Sequence, residues 1–209
     1  MQLNRRDLLA KCMALGVVTV ASNLTPSVLA EAWQLAEKKT LKVTPACELG
    51  PFYKRGAPSS ALLRAAADPG MPLTVGGQVF DTRGDLVQGA KVEVWQTDHT
   101  GHYDLKGYRY RALLLADENG KYDFNSVMPG HYPGRVCQHI HFAVTAPGHQ
   151  PLVTQLYFAT DPVFDGDPDK NYTRDPLCRS RELVRPVILK GDPKDVVASV
   201  NFELVLERL

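Results

Sequence analysis

The chain has few of the features that mark specialised classes of protein. Its 209 residues contain four cysteines and two tryptophans, and the formal net charge at pH 7 is +1. A net charge this close to zero gives no reason to expect binding to nucleic acid or to an anionic membrane surface. The sequence also has no internal repeat and no low-complexity tract. The chain is long enough for one globular domain with a sizeable core.

No apolar run is long enough to predict a membrane span. The best candidate, CMALGVVTVASNLTPSVLA, is interrupted by polar residues and proline, so we expect no stable membrane insertion. It follows Arg5 and Arg6, and the pattern resembles a twin-arginine export signal that ends before Glu31. This predicts a signal peptide over residues 1–30, passage through the twin-arginine export machinery, and a periplasmic or secreted location. An amphipathic N-terminal helix is the alternative.

Cysteine is scarce in the predicted mature chain, which keeps Cys47, Cys137 and Cys178. Export permits a disulfide, but an odd number leaves at least one thiol unpaired within the chain. Cys137 stands beside the pair of histidines discussed below. We therefore predict that Cys47 and Cys178 form a disulfide.

Short runs rich in β-forming residues begin at residue 73. LTVGGQVF is followed by the turn DTRGD and AKVEVWQT by DHTG, and no helix-period segment separates such runs. This pattern predicts an all-β fold, an antiparallel β-sandwich of Greek-key, immunoglobulin-like type, over residues 73–209. Residues 31–72 are predicted to form a short helical start and an N-terminal arm. The polar segment 160–181 is predicted to be a long, functional or mobile loop.

Two histidines, His139 and His141, alternate within the apolar run QHIHFAVTA, so both side chains should lie on one face of a strand. Tyrosines stand in two Gly/Pro-rich loop sequences, Tyr103 in GHYDL and Tyr132 in PGHYPGR. A tyrosine opposite such a histidine pair is a candidate phenolate ligand, so these side chains form a candidate metal site. The structural alternative is that the histidines hydrogen-bond at a sheet surface and the tyrosines pack at its edge.

Three separated segments resemble, in order, the core of the intradiol ring-cleavage dioxygenases. They are LTVGGQVFDTRGDLVQGAKVEVWQTDHTGHYD, YRALLLADENGKYDFNSVMPGHYPGR and QHIHFAVTAPGHQPLVTQLYF, and the resemblance extends from about Glu48 to the C-terminus. It implies a mononuclear, non-haem Fe(III) bound by Tyr103, Tyr132, His139 and His141. It also implies a small aromatic diol and O2 as substrates. Both oxygen atoms would enter between the hydroxyl-bearing carbons of a catechol-type ring, giving a muconate-type diacid.

The resemblance implies three catalytic side chains: Tyr132 as the ligand displaced by substrate, Gln155 of the VTQ segment, and an arginine. In the family the arginine stands three residues before the first histidine, where this chain has Val136. Arg135 lies one residue further away. We expect a one-residue bulge to return Arg135 to the pocket. The alternative is that Arg135 is a solvated loop charge and Gln155 acts without it.

Two other functions fit parts of the sequence. The segment GGQVFDTRGDLVQGAKVEVW also resembles transthyretin-like and carboxypeptidase-regulatory modules, which predicts a periplasmic binding module without catalytic iron. A third hypothesis assigns the histidine pair to zinc in a hydrolase or storage protein, with structural tyrosines. The substituents on the ring of the substrate are not predicted, and the oligomeric state, a homo-oligomer included, stays open.

Overall fold

The structure, a computed structural model, describes residues 40–192 and 195–209. Within these ranges the chain forms ten strands, which are β1 (Pro72–Asp81), β2 (Lys91–Trp95), β3 (Arg111–Leu115), β4 (Lys121–Val127), β5 (His139–Thr145), β6 (Leu152–Phe158), β7 (Val184–Arg185), β8 (Ile188–Lys190), β9 (Val197–Asn201) and β10 (Leu204–Leu206). The helical segments described are short, namely Pro162–Phe164, Pro168–Asn171, Tyr172–Arg174 and Arg181–Leu183. No helix among the described residues is long and apolar enough to cross a membrane.

The strands form two five-stranded sheets, one of β10, β1, β9, β8 and β4, the other in the order β3-β2-β5-β6-β7. Strand β1 pairs in parallel with β9 and β10, and β6 pairs in parallel with β7. The predicted mostly-β class is confirmed, but the expectation of purely antiparallel sheets is wrong. Hydrophobic alternation does not encode strand direction, and the long segment between β6 and β7 lets the chain return for a parallel pairing. The Greek-key, immunoglobulin-like topology stays a prediction.

Strand β5 shows how the sheets create both a core and a site. Phe142 points inward and contacts Phe124 and Phe202 from the other side of the sandwich, at ring-centroid distances of 6.3 and 5.1 Å. His139 and His141 occupy the alternate positions and point to the opposite face, yet they are only 3% and 1% exposed. That outer face is therefore covered by chain from outside the sheet.

The described part of the N-terminal arm, residues 40–71, contributes to this cover. The backbone N–H of Cys47 donates to the carbonyl of Val153 at 2.8 Å, and that of Leu113 donates to the carbonyl of Pro58 at 2.9 Å. The arm carries no helix over these residues. The predicted helical start at residues 31–39 and the predicted signal peptide at residues 1–30 lie outside the described residues.

The predicted Cys47–Cys178 disulfide is wrong, because the three cysteines among the described residues are free thiols. Each of the two sulfurs faces a backbone carbonyl instead. Cys47 Sγ lies 4.0 Å from the carbonyl oxygen of Leu177, and Cys178 Sγ lies 3.7 Å from that of Ser180. Burial raises the pKa of the Cys178 thiol to about 12, so the group is protonated at neutral pH.

Candidate metal centre

The four side chains predicted as metal ligands form a closed circuit on the outer face of β5. The ring centroids of His139 and His141 are 4.9 Å apart, and those of Tyr103 and Tyr132 are 5.6 Å apart. Tyr132 lies 5.7 Å from His139, and Tyr103 lies 6.5 Å from His141. Side chains from one strand and two loops thus converge on one volume.

Two glycines let the tyrosine-bearing loops meet. Gly101 has φ +88°, and a Cβ there would lie 1.9 Å from the carbonyl oxygen of His131. A Cβ on Gly130 would lie 2.4 Å from the backbone nitrogen of Gly101. The N–H of Gly130 donates to the carbonyl of Asp98 at 2.7 Å, and its carbonyl accepts from Thr97 Oγ1 at 3.0 Å. Only residues without a side chain permit this close contact between the loops.

Both histidines are neutral in this environment. Burial lowers the pKa of His139 to about 3, and the nearby Arg135 guanidinium acts in the same direction. Burial, with the neighbouring His139, lowers the pKa of His141 well below its usual range. His139 Nδ1 donates to the carbonyl of Cys137 at 2.8 Å, which assigns the proton to Nδ1 and leaves Nε2 a lone pair. A backbone contact of this type is the usual way to orient a metal-binding imidazole.

Aromatic and backbone contacts fix the other rings. The Trp95 indole stacks on the His141 imidazole, with 4.8 Å between centroids and 6° between planes. Gly50, at φ +73°, approaches the same imidazole so closely that a Cβ would lie 3.1 Å from Cε1. Phe52 stacks on Tyr103 at 4.3 Å with a 20° angle. The N-terminal arm therefore supplies part of the wall of the site.

The donor set fits Fe(III) better than zinc. The Tyr103 hydroxyl is buried, and no described residue forms a hydrogen bond with it. Burial raises the pKa of Tyr103 far above its usual value, and the Tyr132 hydroxyl adds to this. An unpartnered buried hydroxyl is costly, whereas a bound cation would lower this pKa and make the oxygen a ligand. Among the described residues, the two imidazoles have no third His, Cys, Asp or Glu side chain grouped with them to hold a metal, whereas a zinc site usually takes at least three such donors.

Arg135 lies inside the pocket. Its Nη1 is 3.1 Å from His139 Nε2, and its Nη2 donates to Gln155 Oε1 at 2.9 Å and to the Tyr157 hydroxyl at 3.1 Å. Val136 is 42% exposed, so the side chain one position closer to His139 points away. The solvated alternative therefore does not describe Arg135.

Arg135 does not reach the pocket through the expected β-bulge. Strand β5 pairs without interruption with β6 from His139 onward and with β2 from His141 onward. The backbone N–H of Arg135 donates to the carbonyl of Tyr132 at 3.1 Å, which closes a turn ahead of the strand. Arg135 therefore lies in a turn ahead of strand β5 and not in the strand ladder.

Gln155 is the register partner of His141 on the neighbouring strand β6. Its Oε1 accepts from Arg135 and, at 2.8 Å, from the Tyr157 hydroxyl, while its Nε2 donates to the carbonyl of Glu48 at 2.9 Å. Both the oxygen and the nitrogen of the amide are therefore hydrogen-bonded within the protein. The amide links the arginine to the sheet and to the N-terminal arm.

Several residues that the sequence reasoning did not select contribute to the site. Tyr157 follows Gln155 by two positions and so shares its face of β6, a signal that strand periodicity contains. Arg111 is 3% exposed, donates to the carbonyl of Phe52 at 2.6 Å, and has its guanidinium carbon 5.8 Å from the centre of the Tyr103 ring. Asp175 pairs with Arg135 from the long loop at 160–181. No local pattern marks Arg111 or Asp175, because their partners are distant in sequence.

Comparison with known proteins gives consistent matches. A family model described as Dioxygenase (Dioxygenase_C) matches residues 49–208, which include all six predicted site residues. Chlorocatechol 1,2-dioxygenase of Rhodococcus opacus is 33% identical over 189 residues, covering 76% of this chain and 70% of that protein. Catechol 1,2-dioxygenase of Pseudomonas sp. (strain EST1001) is 35% identical over 153 residues, covering 61% and 51% respectively.

A solved structure extends the likeness to the fold. The dioxygenase domain of a dioxygenase carbohydrate-binding protein fusion from Streptomyces sp. SirexAA-E matches with a TM-score of 0.68 and 31% identity. The match covers 80% of this chain and 100% of that one. By contrast, the chain spans about half of the Pseudomonas relative and somewhat more of the Rhodococcus relative.

Proposed function

Because this chain belongs to the intradiol ring-cleavage dioxygenase family, we propose that it cleaves a catechol-type ring between its hydroxyl-bearing carbons. Both atoms of O2 would enter the product, a muconate-type diacid. The observation that carries this proposal is the closed circuit of Tyr103, Tyr132, His139 and His141. A binding module without metal has no need for two buried neutral imidazoles beside two phenols.

We propose that these four side chains bind one ferric ion. When bound, it supplies a Lewis acid and a template on which the diol and O2 meet. The imidazoles contribute no charge, whereas the two phenol oxygens contribute one negative charge each as phenolates. This leaves little net charge in a pocket where an unbalanced charge is costly.

Proton transfer during binding falls to Tyr132 in this proposal. A diol that bound the metal through both oxygens would lose two protons. The Tyr132 phenolate, on leaving the metal, would accept one of them, and a hydroxide ion from solvent would accept the other. Tyr132 is the better candidate to leave, because Tyr103 is stacked on Phe52 and has its hydroxyl enclosed. The family resemblance points to the same residue.

Arg135 and Gln155 orient the substrate in this proposal. The Arg135 guanidinium contacts His139 Nε2, so it is adjacent to any group bound there. Its fixed charge suits a substrate that becomes anionic as it loses protons. Gln155 acts through Arg135, because both polar ends of its amide are already engaged within the protein.

Purified protein loaded with iron tests the proposal. We expect one iron per chain, a red-brown colour from tyrosinate-bound ferric iron, a colour change on adding catechol, and one O2 consumed per ring opened. Y103F, Y132F, H139A and H141A should lose the colour and the turnover. Y108F is the matched control, because the Tyr108 hydroxyl is bonded to the carbonyl of Arg55 outside the circuit.

Other outcomes would favour the other functions. A colourless protein whose ligand affinity survives all four substitutions would indicate a binding module, and stoichiometric zinc would indicate the zinc hypothesis. The relatives named above are catechol and chlorocatechol enzymes, so an oxygen-uptake screen should compare catechol with substituted catechols.

We also propose export, on the evidence of the N-terminal sequence alone. Arg5 and Arg6 precede the moderately apolar run, as in twin-arginine signals, which serve proteins that fold before export. Replacing both arginines by lysine should retain the protein in the cytoplasm, as measured by fractionation. Unchanged export of the double variant would contradict this route.

A further inference from the structure

The loop at residues 160–181 contributes two buried carboxylates, and one of them, Asp175, lies beside Arg135 at the candidate metal centre. Its Oδ2 accepts a hydrogen bond from the backbone N–H of Cys137 at 3.2 Å and lies 3.5 Å from Arg135 Nη2. Its Oδ1 accepts from the backbone N–H of Leu177 at 2.9 Å. One carboxylate therefore joins this loop to the segment that leads into strand β5.

Asp175 and Arg135 form a buried ion pair, with side chains 1% and 7% exposed. Their separation of 3.5 Å exceeds that of a good N–H···O bond, so the contact is mainly a charge pairing. Asp175 is the only carboxylate that pairs with Arg135 among the described residues. Removing either partner would leave an uncompensated charge in the protein interior.

The two ends of the Arg135 guanidinium have different surroundings. Nη1 contacts His139 Nε2, whereas Nη2 is shared by Gln155, Tyr157 and Asp175. The Nε2 atom has one lone pair, and a metal ion bound there would take it from Nη1. The contacts of Nη2 are then what keeps the guanidinium in the pocket, and Asp175 supplies the only full negative charge among them.

We propose that Asp175 is a positioning residue for ring cleavage, one that holds the Arg135 guanidinium toward the bound substrate. This rests on the function proposed above. The chain has Val136 where the family resemblance implies the arginine, so Arg135 reaches the site from one residue further out. The buried carboxylate of Asp175, on the loop at residues 160–181, stabilises the Arg135 side chain in its position inside the pocket.

The first test uses the metal-free protein and does not depend on activity. Phenylglyoxal modifies accessible guanidinium groups, and peptide mass spectrometry gives the rate at Arg135. Asp175→Asn keeps the size of the side chain and one acceptor oxygen but removes the charge. We expect Arg135 to react faster in D175N than in the native chain by roughly 2- to 100-fold, the range that corresponds to coupling energies between contacting residues.

Asp161→Asn is the matched control. Asp161 is also 1% exposed and also accepts a backbone N–H of the same segment, that of Gln138 at 2.7 Å, but it faces His131 and not Arg135. D161N should lower the Tm without changing the rate at Arg135. Equal rates in D175N and the native chain, or the same acceleration in D161N, would overturn the inference.

The second test is a double-mutant cycle on kcat/KM in the iron-loaded enzyme. D175N alone should lower kcat/KM by roughly 10-fold, with iron content and visible absorption unchanged. In an R135Q background the same substitution should cause no further loss and should raise the Tm, because it neutralises a carboxylate left unpaired. Additive losses in kcat/KM, or a Tm that falls further in the double variant, would show that Asp175 does not act through Arg135.

The two proposals fail in different ways. A native protein without iron or turnover would refute the proposed function, and the modification rate at Arg135 would still measure the Asp175 contact. If the native protein cleaves catechols and D175N keeps full kcat/KM with an unreactive Arg135, only the role of Asp175 is refuted.

Discussion

The indole of Trp95 and the imidazole of His141 lie nearly parallel, with 6° between their planes and 4.8 Å between their centroids. The two residues are register partners on strands β2 and β5, so the sheet itself creates the contact. A stacked indole limits rotation of the imidazole. Groups that orient a metal ligand in this way usually contribute to metal affinity.

Trp95→Phe should therefore weaken iron binding by about 10- to 100-fold, because the smaller ring covers less of the imidazole. The iron affinity is measured by competition with a chelator, using the visible absorption of the iron-bound protein as the signal. Phe124→Leu is the control: Phe124 is fully buried in the other sheet, so this substitution should lower the Tm and leave iron affinity unchanged. Equal iron affinity in W95F and the native protein would contradict the role of the stack.

Gly50→Ala should displace the His141 imidazole. The new Cβ would lie 3.1 Å from Cε1, and φ +73° adds about 1 kcal/mol of backbone strain. Gly89→Ala is a matched control, since Gly89 has φ +70° and nothing within 4 Å of a built Cβ. Both variants should lose similar stability, but only G50A should lose iron. If G50A and G89A bind iron equally well, the contact with His141 is without consequence.

Tyr103→Phe should stabilise the metal-free protein while abolishing its capacity for iron. It deletes a buried hydroxyl that has no partner, which we expect to increase the free energy of unfolding by about 1 kcal/mol. Tyr122→Phe provides the contrast, because the Tyr122 hydroxyl donates to the carbonyl of Phe202 and its loss leaves that acceptor unpaired. Y122F should lower the free energy of unfolding. Denaturant unfolding of both metal-free variants checks the opposite signs.

Acid should destabilise the protein through Asp81. Burial acts to raise the pKa of Asp81, but the backbone N–H groups of Asp85 and Arg83 and the guanidinium of Arg208, which lies 2.8 Å away, outweigh it and lower the pKa. The carboxylate therefore contributes stability that is complete above its unfolded pKa of about 3.9 and is lost as pH falls through the lower folded value.

Arg208→Gln should accordingly shift the midpoint of acid unfolding, followed by circular dichroism, to higher pH. Lys42→Gln is the control, because Lys42 pairs with Glu182 at an exposed site where ion pairs contribute little. An acid midpoint that is the same in R208Q and the native chain would show that the contact between Asp81 and Arg208 does not contribute to the pH dependence of stability.

The strand content and the shared face of the two histidines were accessible from the sequence because side chains alternate along a strand. Alternation along QHIHFAVTA puts His139 and His141 on one face whatever the rest of the fold is, and the structure has them 4.9 Å apart. The tyrosines were accessible only through the order of three motifs. Spacing alone does not say that loops bearing Tyr103 and Tyr132 meet across the glycine contact at Gly101.

The failures share a cause. The Cys47–Cys178 disulfide, the purely antiparallel sheets and the bulge before His139 were each inferred from local sequence, yet each depends on how distant segments meet. A single residue too many before the first histidine can be absorbed in a strand or in a turn. Only the folded chain shows that Arg135 lies in a turn closed by its hydrogen bond to Tyr132, ahead of strand β5.

The sequence by itself determined the β class, the shared face of the two histidines and the kinship of the motifs, because side-chain period and residue chemistry are properties of the local chain. Tertiary structure alone decided which charge faces which. Asp175 reaches Arg135 across 40 positions, and the free energy of such a contact depends on burial and distance, which no local pattern records.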